Sequence, residues 1–353
     1  MADLLKSLPF SPVVTGTALY LLTQGPPSVQ QPLLQRLHQF LTPNNVGRLI
    51  TGIKWLFALG LVRNINSYLS SWAGNGFQFR SSKEGWVWDK EIVVVTGASS
   101  GFGALFTKDL SAKGLRVAAL DINELPPHLQ NNPKVTFFKC DVTDHDAVQK
   151  VAEDVRSTLG SPSVLINNAG IGTGKTIIKT SPQFLHKIFG VNLFSHWYTT
   201  KAFLPDMLSR KKGHIVSIAS MASFVSTAGI VDYSATKVGA LAFHEGLSSE
   251  LRTIHNCPEI KTSIVHPIWA DTPLIADGKE ALKKAGQLII DPQTVSDAVV
   301  EQVLAVRGGQ IILAGGAGPV ISSLRGFPAW LQQMLLRSSE MKGLDSELSE
   351  AKS

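Results

Sequence analysis

The sequence predicts an α/β protein built on a doubly wound, mostly parallel sheet of about seven strands. Two observations predict this class. Short apolar runs rich in β-branched residues, such as 91–95 and 214–218, alternate along the chain with segments of helical apolar spacing. A glycine-rich turn joins the first such run to the first helical segment, with the sequence Thr96-Gly97-Ala98-Ser99-Ser100-Gly101-Phe102-Gly103. Strands that alternate with helices form parallel sheets with helices on both faces.

The turn after the first strand has the placement that a phosphate site requires. In a strand, glycine turn and helix, backbone N–H groups and the helix N-terminus both face an anion placed at the turn. The spacing is G-x-x-x-G-x-G and differs from the more familiar G-x-G-x-x-G. The candidate cofactor-binding residues of this turn are Thr96, Gly97, Ser99, Gly101, Phe102 and Gly103.

Acidic residues end the next two apolar runs. Asp121 follows the run 115–120. A carboxylate at this position can accept hydrogen bonds from both ribose hydroxyls of an adenosine and would repel a 2′-phosphate. We therefore expect NAD as the cofactor, with NADP possible, although Asp121 could also be a loop carboxylate or a helix cap. Asp141, in the run 137–142, is placed to reach an adenine.

A tyrosine and a lysine lie four residues apart, at Tyr233 and Lys237. Side chains with this spacing share one face of a helix. An ammonium group near a phenol favours the phenolate, so we expect the pKa of Tyr233 to fall from about 10 towards neutral pH. Tyr233 is therefore a candidate general acid/base for an alcohol oxygen. The alternative is a packed ring beside a solvated amine.

Several of these landmarks occur in a characteristic order. Asn168 ends a fourth apolar run within Asn-Asn-Ala-Gly, Asn192 falls in a helix that begins near Pro182, and Ser220 follows the run 214–218. With the glycine turn and Tyr233-x-x-x-Lys237, they resemble the short-chain dehydrogenase/reductase family. The resemblance extends from about residue 89 to about residue 316.

The resemblance implies a Rossmann-type domain and a role for each matched residue. Tyr233 would donate and accept the proton, Lys237 would lower its pKa and hold the nicotinamide ribose, and Ser220 would bind the substrate oxygen. Asn192 would hold a water that links Lys237 to solvent. The remaining cofactor contacts implied are Asn168, Ile268 and Thr272. Ile268 departs from the family, which usually has glycine there, so we expect a changed pocket shape. The family also implies a homodimer.

Residues 223–251 most resemble the retinol dehydrogenase and 17-beta-hydroxysteroid dehydrogenase branch, whose members act on lipophilic alcohols and ketones at membranes or lipid droplets. This implies a small lipophilic substrate of retinoid, steroid or long-chain type. Two alternatives stay open. The same site would serve a ketoreductase of a specialised-metabolite pathway, and the nucleotide fold could be the scaffold of a non-catalytic membrane or droplet coat protein.

Composition is consistent with an enzyme that has membrane-facing parts. The 353 residues have a charged fraction of 17%, below the usual quarter, and a mean hydropathy of +0.12. The net charge of +6 is moderate, and nothing in the sequence indicates a nucleic-acid partner. Cys140 and Cys257 lie in separate predicted elements, so no disulfide framework is expected. The nine histidines show no metal-ligand spacing.

Apolar extensions flank the predicted catalytic domain of residues 89–316. In the N-terminal extension, 1–88, we expect 25–32 to be a Pro/Gln-rich linker. The segment 46–62 is marginal for spanning a bilayer and contains Arg48 and Lys54, which suits a helix lying in the interface or half a hairpin. Its alternative is a helix packed on the core.

The C-terminal segment, 317–353, has an apolar stretch at 327–336 followed by a polar tail. That stretch could cap the substrate pocket, touch the membrane, or pack on the core or a second subunit. Together the two extensions predict association with the endoplasmic reticulum or lipid droplets, with the catalytic domain facing the cytosol.

Overall fold

The computed structural model describes residues 8–78 and 83–339. The chain separates into two compact units, divided between Ala73 and Gly74. The smaller, N-terminal unit is helical, and the larger unit contains the sheet.

The N-terminal unit is formed by three helices: α1 Pro12–Thr23, α2 Pro27–Phe40 and α3 Pro43–Gly74. The prediction that 25–32 is a linker is wrong, because α2 begins at Pro27. Proline fits the first turn of a helix, where its missing N–H has no intrahelical partner to lose. Pro32 lies inside α2 and costs the helix one backbone hydrogen bond. The side chain of Gln30 donates to the carbonyl oxygen of Leu22 at 3.0 Å and ties α2 back to α1.

Helix α3 is much longer than the predicted segment 46–62. Its 32 residues make it about 48 Å long. Large apolar side chains with helical spacing are exposed along one side of it, at Trp55, Leu59, Val62, Ile65 and Leu69. Within the described ranges, α3 is the one helix long and apolar enough to cross a membrane, with a mean hydropathy of 1.2 over its most apolar window and 11% of that window buried.

The larger unit is organised around a sheet in which every described strand is parallel to its neighbours. The strand order is β3-β2-β1-β4-β5-β6-β7. The strands are β1 Ile92–Thr96, β2 Arg116–Asp121, β3 Val135–Lys139, β4 Val164–Asn167, β5 His214–Ile218, β6 Lys261–Pro267 and β7 Gly309–Leu313. The predicted doubly wound α/β class is confirmed.

The helices of this unit pack on both faces of the sheet. They are α4 Gly101–Ala112, α5 Pro127–Gln130, α6 His145–Thr158, α7 Pro182–Phe189, α8 Ser195–Arg210, α9 Val231–Thr253, α10 Lys279–Lys284, α11 Pro292–Leu304, α12 Gly318–Ser323 and α13 Ala329–Ser339. Successive residues of a strand point to opposite faces. In β1, accordingly, Val94 belongs to the core beneath α6, α8 and α9, whereas Val93 and Val95 belong to the core beneath α4 and α11.

The strand order places a crevice at the carboxyl ends of β1 and β4. From these two central strands the connections run outward in opposite directions, to β2 and β3 on one side and to β5, β6 and β7 on the other. Open parallel sheets bind ligands at such a switch point. The residues that follow β1, β2, β4 and β5 therefore surround the same opening.

Candidate active site

A cleft of about 2440 Å³ opens at this switch point. Most of the site residues predicted from the sequence line it, namely Gly97, Gly101, Phe102, Asp121, Asp141, Asn168, Ser220, Tyr233, Lys237, Ile268 and Thr272. The other four, Thr96, Ser99, Gly103 and Asn192, lie behind the lining and support it. The structure thus brings together residues from six of the seven strand ends.

The glycine turn closes tightly against the start of α4. Gly97 has a φ of +65°, a conformation that side chains other than glycine rarely adopt. A Cβ atom at Gly103 would lie 1.9 Å from the carbonyl oxygen of Gly97, so no side chain fits there. The close approach leaves the backbone of the turn and the first turn of α4 facing the cleft, which fits a pyrophosphate.

Thr96 and Asn168 join the ends of β1 and β4 beneath this turn. The Oγ1 of Thr96 accepts the backbone N–H groups of Asn168 at 3.0 Å and Ala169 at 3.1 Å. In return, the side-chain amide of Asn168 donates to the carbonyl oxygens of Thr96 at 2.9 Å and Gly97 at 3.2 Å. These reciprocal bonds fix the floor of the crevice.

Asp121 ends β2 at the edge of the cleft. One carboxylate oxygen accepts the backbone N–H of Ser99, and the other accepts that of Asn123, both at 2.9 Å. The side chain of Ser99 donates to the carbonyl oxygen of Asn123 at 2.7 Å and closes the loop. Asp121 is therefore held rigidly at the edge of the cleft. Each of its oxygens keeps a lone pair for a hydroxyl donor.

Asp141 lies beyond β3, further along the cleft. Its Oδ1 accepts the backbone N–H of Thr143 at 2.9 Å and the hydroxyl of Thr143 at 2.7 Å. This local ring orients the carboxyl group towards the end of the cleft that also contains Asp121.

Ser220 follows β5 and caps a short 3-10 turn, Met221–Ser223. Its Oγ accepts the N–H of Ala222 at 3.1 Å and donates to the carbonyl oxygen of Pro267 at 3.5 Å. Its side chain is also close enough to the phenol of Tyr233 to lower the pKa of that group. The serine hydroxyl thus lies beside the phenol, as two groups that share one substrate oxygen must.

Tyr233 and Lys237 lie one turn apart on α9, as predicted. The Nζ of Lys237 donates to the carbonyl oxygen of Ile218 at 2.8 Å and lies 5.5 Å from the centroid of the Tyr233 ring. Burial lowers the pKa of Lys237 to about 8.

The predicted fall in the tyrosine pKa is wrong for this arrangement. Burial raises the pKa of Tyr233 to about 12, and the hydrogen bond with Ser220 offsets only part of that rise. The physical reason is that removing a phenolate from water costs more free energy than the nearby ammonium group of Lys237, which is bonded to a carbonyl oxygen, provides by attraction. Tyr233 therefore holds its proton firmly at neutral pH.

Asn192 lies in a π-helical turn, Gly190–Phe194, between α7 and α8. It is fully buried. Its Oδ1 accepts the N–H of Ile171 at 2.8 Å, and its Nδ2 donates to the carbonyl oxygen of Ile171 at 2.9 Å and to the Oγ1 of Thr236 at 3.2 Å. The asparagine therefore ties the loop after β4 to the helix that carries Tyr233 and Lys237.

Ile268 and Thr272 line the cleft where β6 ends. The backbone N–H of Ile268 donates to the carbonyl oxygen of Leu313 at 2.9 Å, which keeps this segment in register with β7. A Cβ atom at Gly101 would lie 3.7 Å from the Cβ of Thr272, so the threonine lies directly across from the glycine turn. This position would suit a contact with the half of a bound dinucleotide that lies away from the adenosine.

One well-placed residue was not singled out from the sequence. His266 lies on β6, fully buried, with its Nδ1 3.0 Å from the carbonyl oxygen of Ser220. Burial lowers its pKa to about 4. The only sequence signal is its position between Ile264-Val265 and Pro267, which is compatible with any buried histidine.

The fold and the site together define a dinucleotide-binding oxidoreductase. The protein-family comparison agrees, because a model of the family described as short chain dehydrogenase matches residues 91–283. The chain belongs to this family. It is an NAD(P)-dependent oxidoreductase that acts on CH–OH groups, and the glycine turn and the ends of β1, β2 and β4 fit a nicotinamide dinucleotide.

Three similar proteins illustrate the relationship. Dehydrogenase RED2 of Cochliobolus heterostrophus is 36% identical over 240 residues, covering 67% of this chain and 88% of the relative. Retinol dehydrogenase 10-B of Danio rerio is 36% identical over 208 residues, covering 52% of this chain and 62% of the relative. The crystal structure of an actinorhodin polyketide ketoreductase variant with NADPH superposes with a TM-score of 0.60 at 26% identity, covering 66% of this chain and 98% of that one.

Proposed function

We propose that the protein transfers a hydride between NAD and a lipophilic alcohol or carbonyl compound of retinoid, steroid or long-chain type. One observation carries this proposal. The cleft that contains Ser220 and Tyr233 is also lined by apolar side chains from three separate parts of the chain: Val225, Ile230, Leu274, Val320, Ile321 and Leu324. Such a lining suits a substrate that is apolar around a single oxygen. The similarity to retinol dehydrogenase 10-B supports the same substrate class.

The geometry supports one role for each polar residue at the reacting oxygen. A bound nicotinamide supplies the hydride acceptor or donor. Ser220 holds the substrate oxygen, and Tyr233, beside it, exchanges the hydroxyl proton. Lys237 is held one turn away by Ile218, where it can bind a ribose hydroxyl. Asn192 maintains the loop and helix around them.

We propose NAD as the preferred cofactor on the basis of Asp121. Its carboxylate is held at the cleft by Ser99 and Asn123 and would face the adenosine ribose. A 2′-phosphate at that position would meet a negative charge.

We propose that α3 attaches the protein to the endoplasmic reticulum or to lipid droplets, with residues 89–316 as the catalytic domain facing the cytosol. The exposed apolar stripe of α3 supports attachment. Each large side chain that it buries in lipid contributes about 1.5–3 kcal/mol. The helix contains Arg48, Lys54 and Arg63 and no acidic residue, which favours an anionic membrane surface. Access to cytosolic NAD motivates the orientation.

A homodimer through α8 and α9 is part of the same proposal, because the family implies one. The exposed aromatic side chains of Phe194, directly before α8, and Trp197 of α8 support it, because they leave apolar surface uncovered. Trp197 also packs edge-on against the buried Phe243 of α9.

A ketoreductase or dehydrogenase of a specialised-metabolite pathway is the second candidate. Besides Lys237, four lysines line the cleft and would suit a substrate that carries an acidic group: Lys175, Lys179, Lys187 and Lys284. A purely structural scaffold has no need of Asn192, Ser220, Tyr233 and Lys237 in one cleft, so we do not favour it.

A substrate screen tests the proposal and separates the two candidates. Purified protein in detergent is offered neutral retinoid, steroid and long-chain alcohols, and in parallel acidic alcohols and β-ketoacyl thioesters, while the absorbance of NADH is followed. The proposal expects turnover of the neutral lipophilic set. Turnover confined to the acidic or thioester set would replace it with the second candidate.

A further inference from the structure

A hydrogen-bonded chain runs behind the serine of the site, from the buried His266 to the exposed Gln310. His266 of β6 lies between the loop of Ser220 and Gln310 of β7. Its Nδ1 is 3.0 Å from the carbonyl oxygen of Ser220, and its Nε2 is 3.0 Å from the Nε2 of Gln310. The ring of Phe224 packs against the imidazole, with the centroids 4.6 Å apart.

The two partners of His266 require the same tautomer. An amide nitrogen carries two N–H groups and cannot accept, so the ring Nε2 must accept the hydrogen bond from Gln310. The carbonyl oxygen of Ser220 can only accept, so the ring Nδ1 must carry the hydrogen. A neutral imidazole protonated at Nδ1 satisfies both contacts. If Nε2 carried a hydrogen, the amide of Gln310 would have to turn over and accept it through its oxygen.

We propose that His266, in this tautomer, is a positioning residue that orients Ser220 for the reaction. The positioning role rests on the proposed function, because it matters only if Ser220 binds the substrate oxygen. The tautomer of His266 does not depend on that function. The Nδ1–H of His266 and the backbone N–H of Ser223, at 2.9 Å, both bind the carbonyl oxygen of Ser220. With both lone pairs occupied, the peptide group after Ser220 has one orientation, and this sets the direction of its side chain.

The environment of the imidazole suits this role. The carbonyl oxygen of Phe224 accepts a hydrogen bond from Nε of Arg325 at 3.1 Å, so the C-terminal segment keeps Phe224 in place over the ring. The ionisable groups that act on His266 are Lys237 and His244, both on α9. Burial and the charge of Lys237 both favour the neutral ring, which the tautomer requires.

Three substitutions separate the hydrogen bond from packing. His266→Asn places an amide N–H near the position of Nδ1 and can still donate to Ser220. His266→Gln places its amide near Nε2 and loses that donor. His266→Phe keeps the ring against Phe224 and has no donor. We expect kcat to fall by about tenfold or more in the Phe and Gln variants and to recover in the Asn variant, with NAD affinity unchanged in all three.

Equal kcat in the Phe, Gln and Asn variants, whether normal or impaired, would overturn the proposal. The second measurement is the tautomer in the full-length native protein, read from nitrogen chemical shifts after labelling with ¹⁵N-histidine. The His266 signal is assigned as the one lost in His266→Asn. We expect an Nδ1–H tautomer, and an Nε2–H tautomer would overturn the proposal even if the variants lose activity. If no alcohol is turned over by the wild type, the proposed function fails while the tautomer result still decides the structural claim.

Discussion

A Cβ atom added to Gly103 would lie 1.9 Å from the carbonyl oxygen of Gly97. The first turn of α4 therefore packs directly on the loop that ends β1, and the helix N-terminus reaches the phosphate position only because residue 103 has no side chain. This contact makes the binding loop and the start of the helix a single rigid element.

Gly103→Ala should destabilise the protein and abolish cofactor binding, because the backbone would have to move to accept the methyl group. Gly246→Ala in α9 is the matched control, since a Cβ there meets nothing within 4 Å. Replacing an unhindered helical glycine by alanine stabilises a helix by about 0.5–1 kcal/mol. Thermal midpoints and NAD titrations check both variants. If the two variants had similar thermal midpoints and similar affinities for NAD, the close packing of Gly103 on Gly97 would be contradicted.

Asp121→Ser should weaken NAD binding and narrow its advantage over NADP, because the repulsion of a 2′-phosphate is removed. Asp141→Asn is the control at the same end of the cleft and should leave the preference between the cofactors unchanged. Dissociation constants for NADH and NADPH measured by fluorescence check this. A native protein that prefers NADPH would show that the role assigned to Asp121 is wrong.

Acid should destabilise the protein below the pH at which free histidine titrates. Burial lowers the pKa of His196 and His214 to about 3 and of His244 and His266 to about 4. Between these values and 6.5 the unfolded chain binds protons that the folded chain does not, so stability falls as pH falls through this window.

The matched variant for the acid effect is His196→Phe. Within the described part of the chain, neither ring nitrogen of His196 has a hydrogen-bond partner, and its ring packs edge-on against Phe243. Thermal midpoints at pH about 7 and about 5 should differ less in this variant than in the wild type. If the thermal midpoint fell equally in the variant and in the wild type, His196 would not contribute to the loss of stability in acid.

Membrane attachment should depend on the apolar stripe of α3. The pair Leu59→Asp and Val62→Asp should move the full-length protein from the membrane fraction to the soluble fraction. The pair Asn64→Asp and Ser67→Asp adds the same charge at exposed polar positions of the same helix and should leave the protein on membranes. Flotation with anionic lipid vesicles checks this. If both pairs of substitutions released the protein from membranes, the attachment would depend on the charge of α3 and not on its apolar stripe.

The strands could be predicted because a buried parallel strand is a continuous apolar run, and β1 and β5 each have every residue buried. The candidate site could be predicted because its residues occur in a fixed order along the chain. The order says nothing of the π-helical turn at Asn192, or of the pairing of its amide with the backbone of Ile171.

Other features depend on tertiary contacts that no local pattern carries. The partners of His266 are 46 and 44 residues away in the chain. The pKa of Tyr233 depends on how completely the fold removes the phenol from water, whereas the sequence shows only that a lysine is one turn away. The start of α2 lies in the segment 25–32, whose Pro/Gln-rich composition predicts a linker, although Pro27 suits a helix start.

The most direct test of the central claim, proton exchange by Tyr233 during hydride transfer, is the single-turnover rate of NADH formation in Tyr233→Phe. The substitution keeps the ring and removes the hydroxyl, so NAD binding should be nearly unchanged. The account predicts a rate lower by at least about 10²-fold, the usual effect of losing a general acid/base. A rate close to that of the wild type, with an alcohol the wild type turns over, would contradict the account.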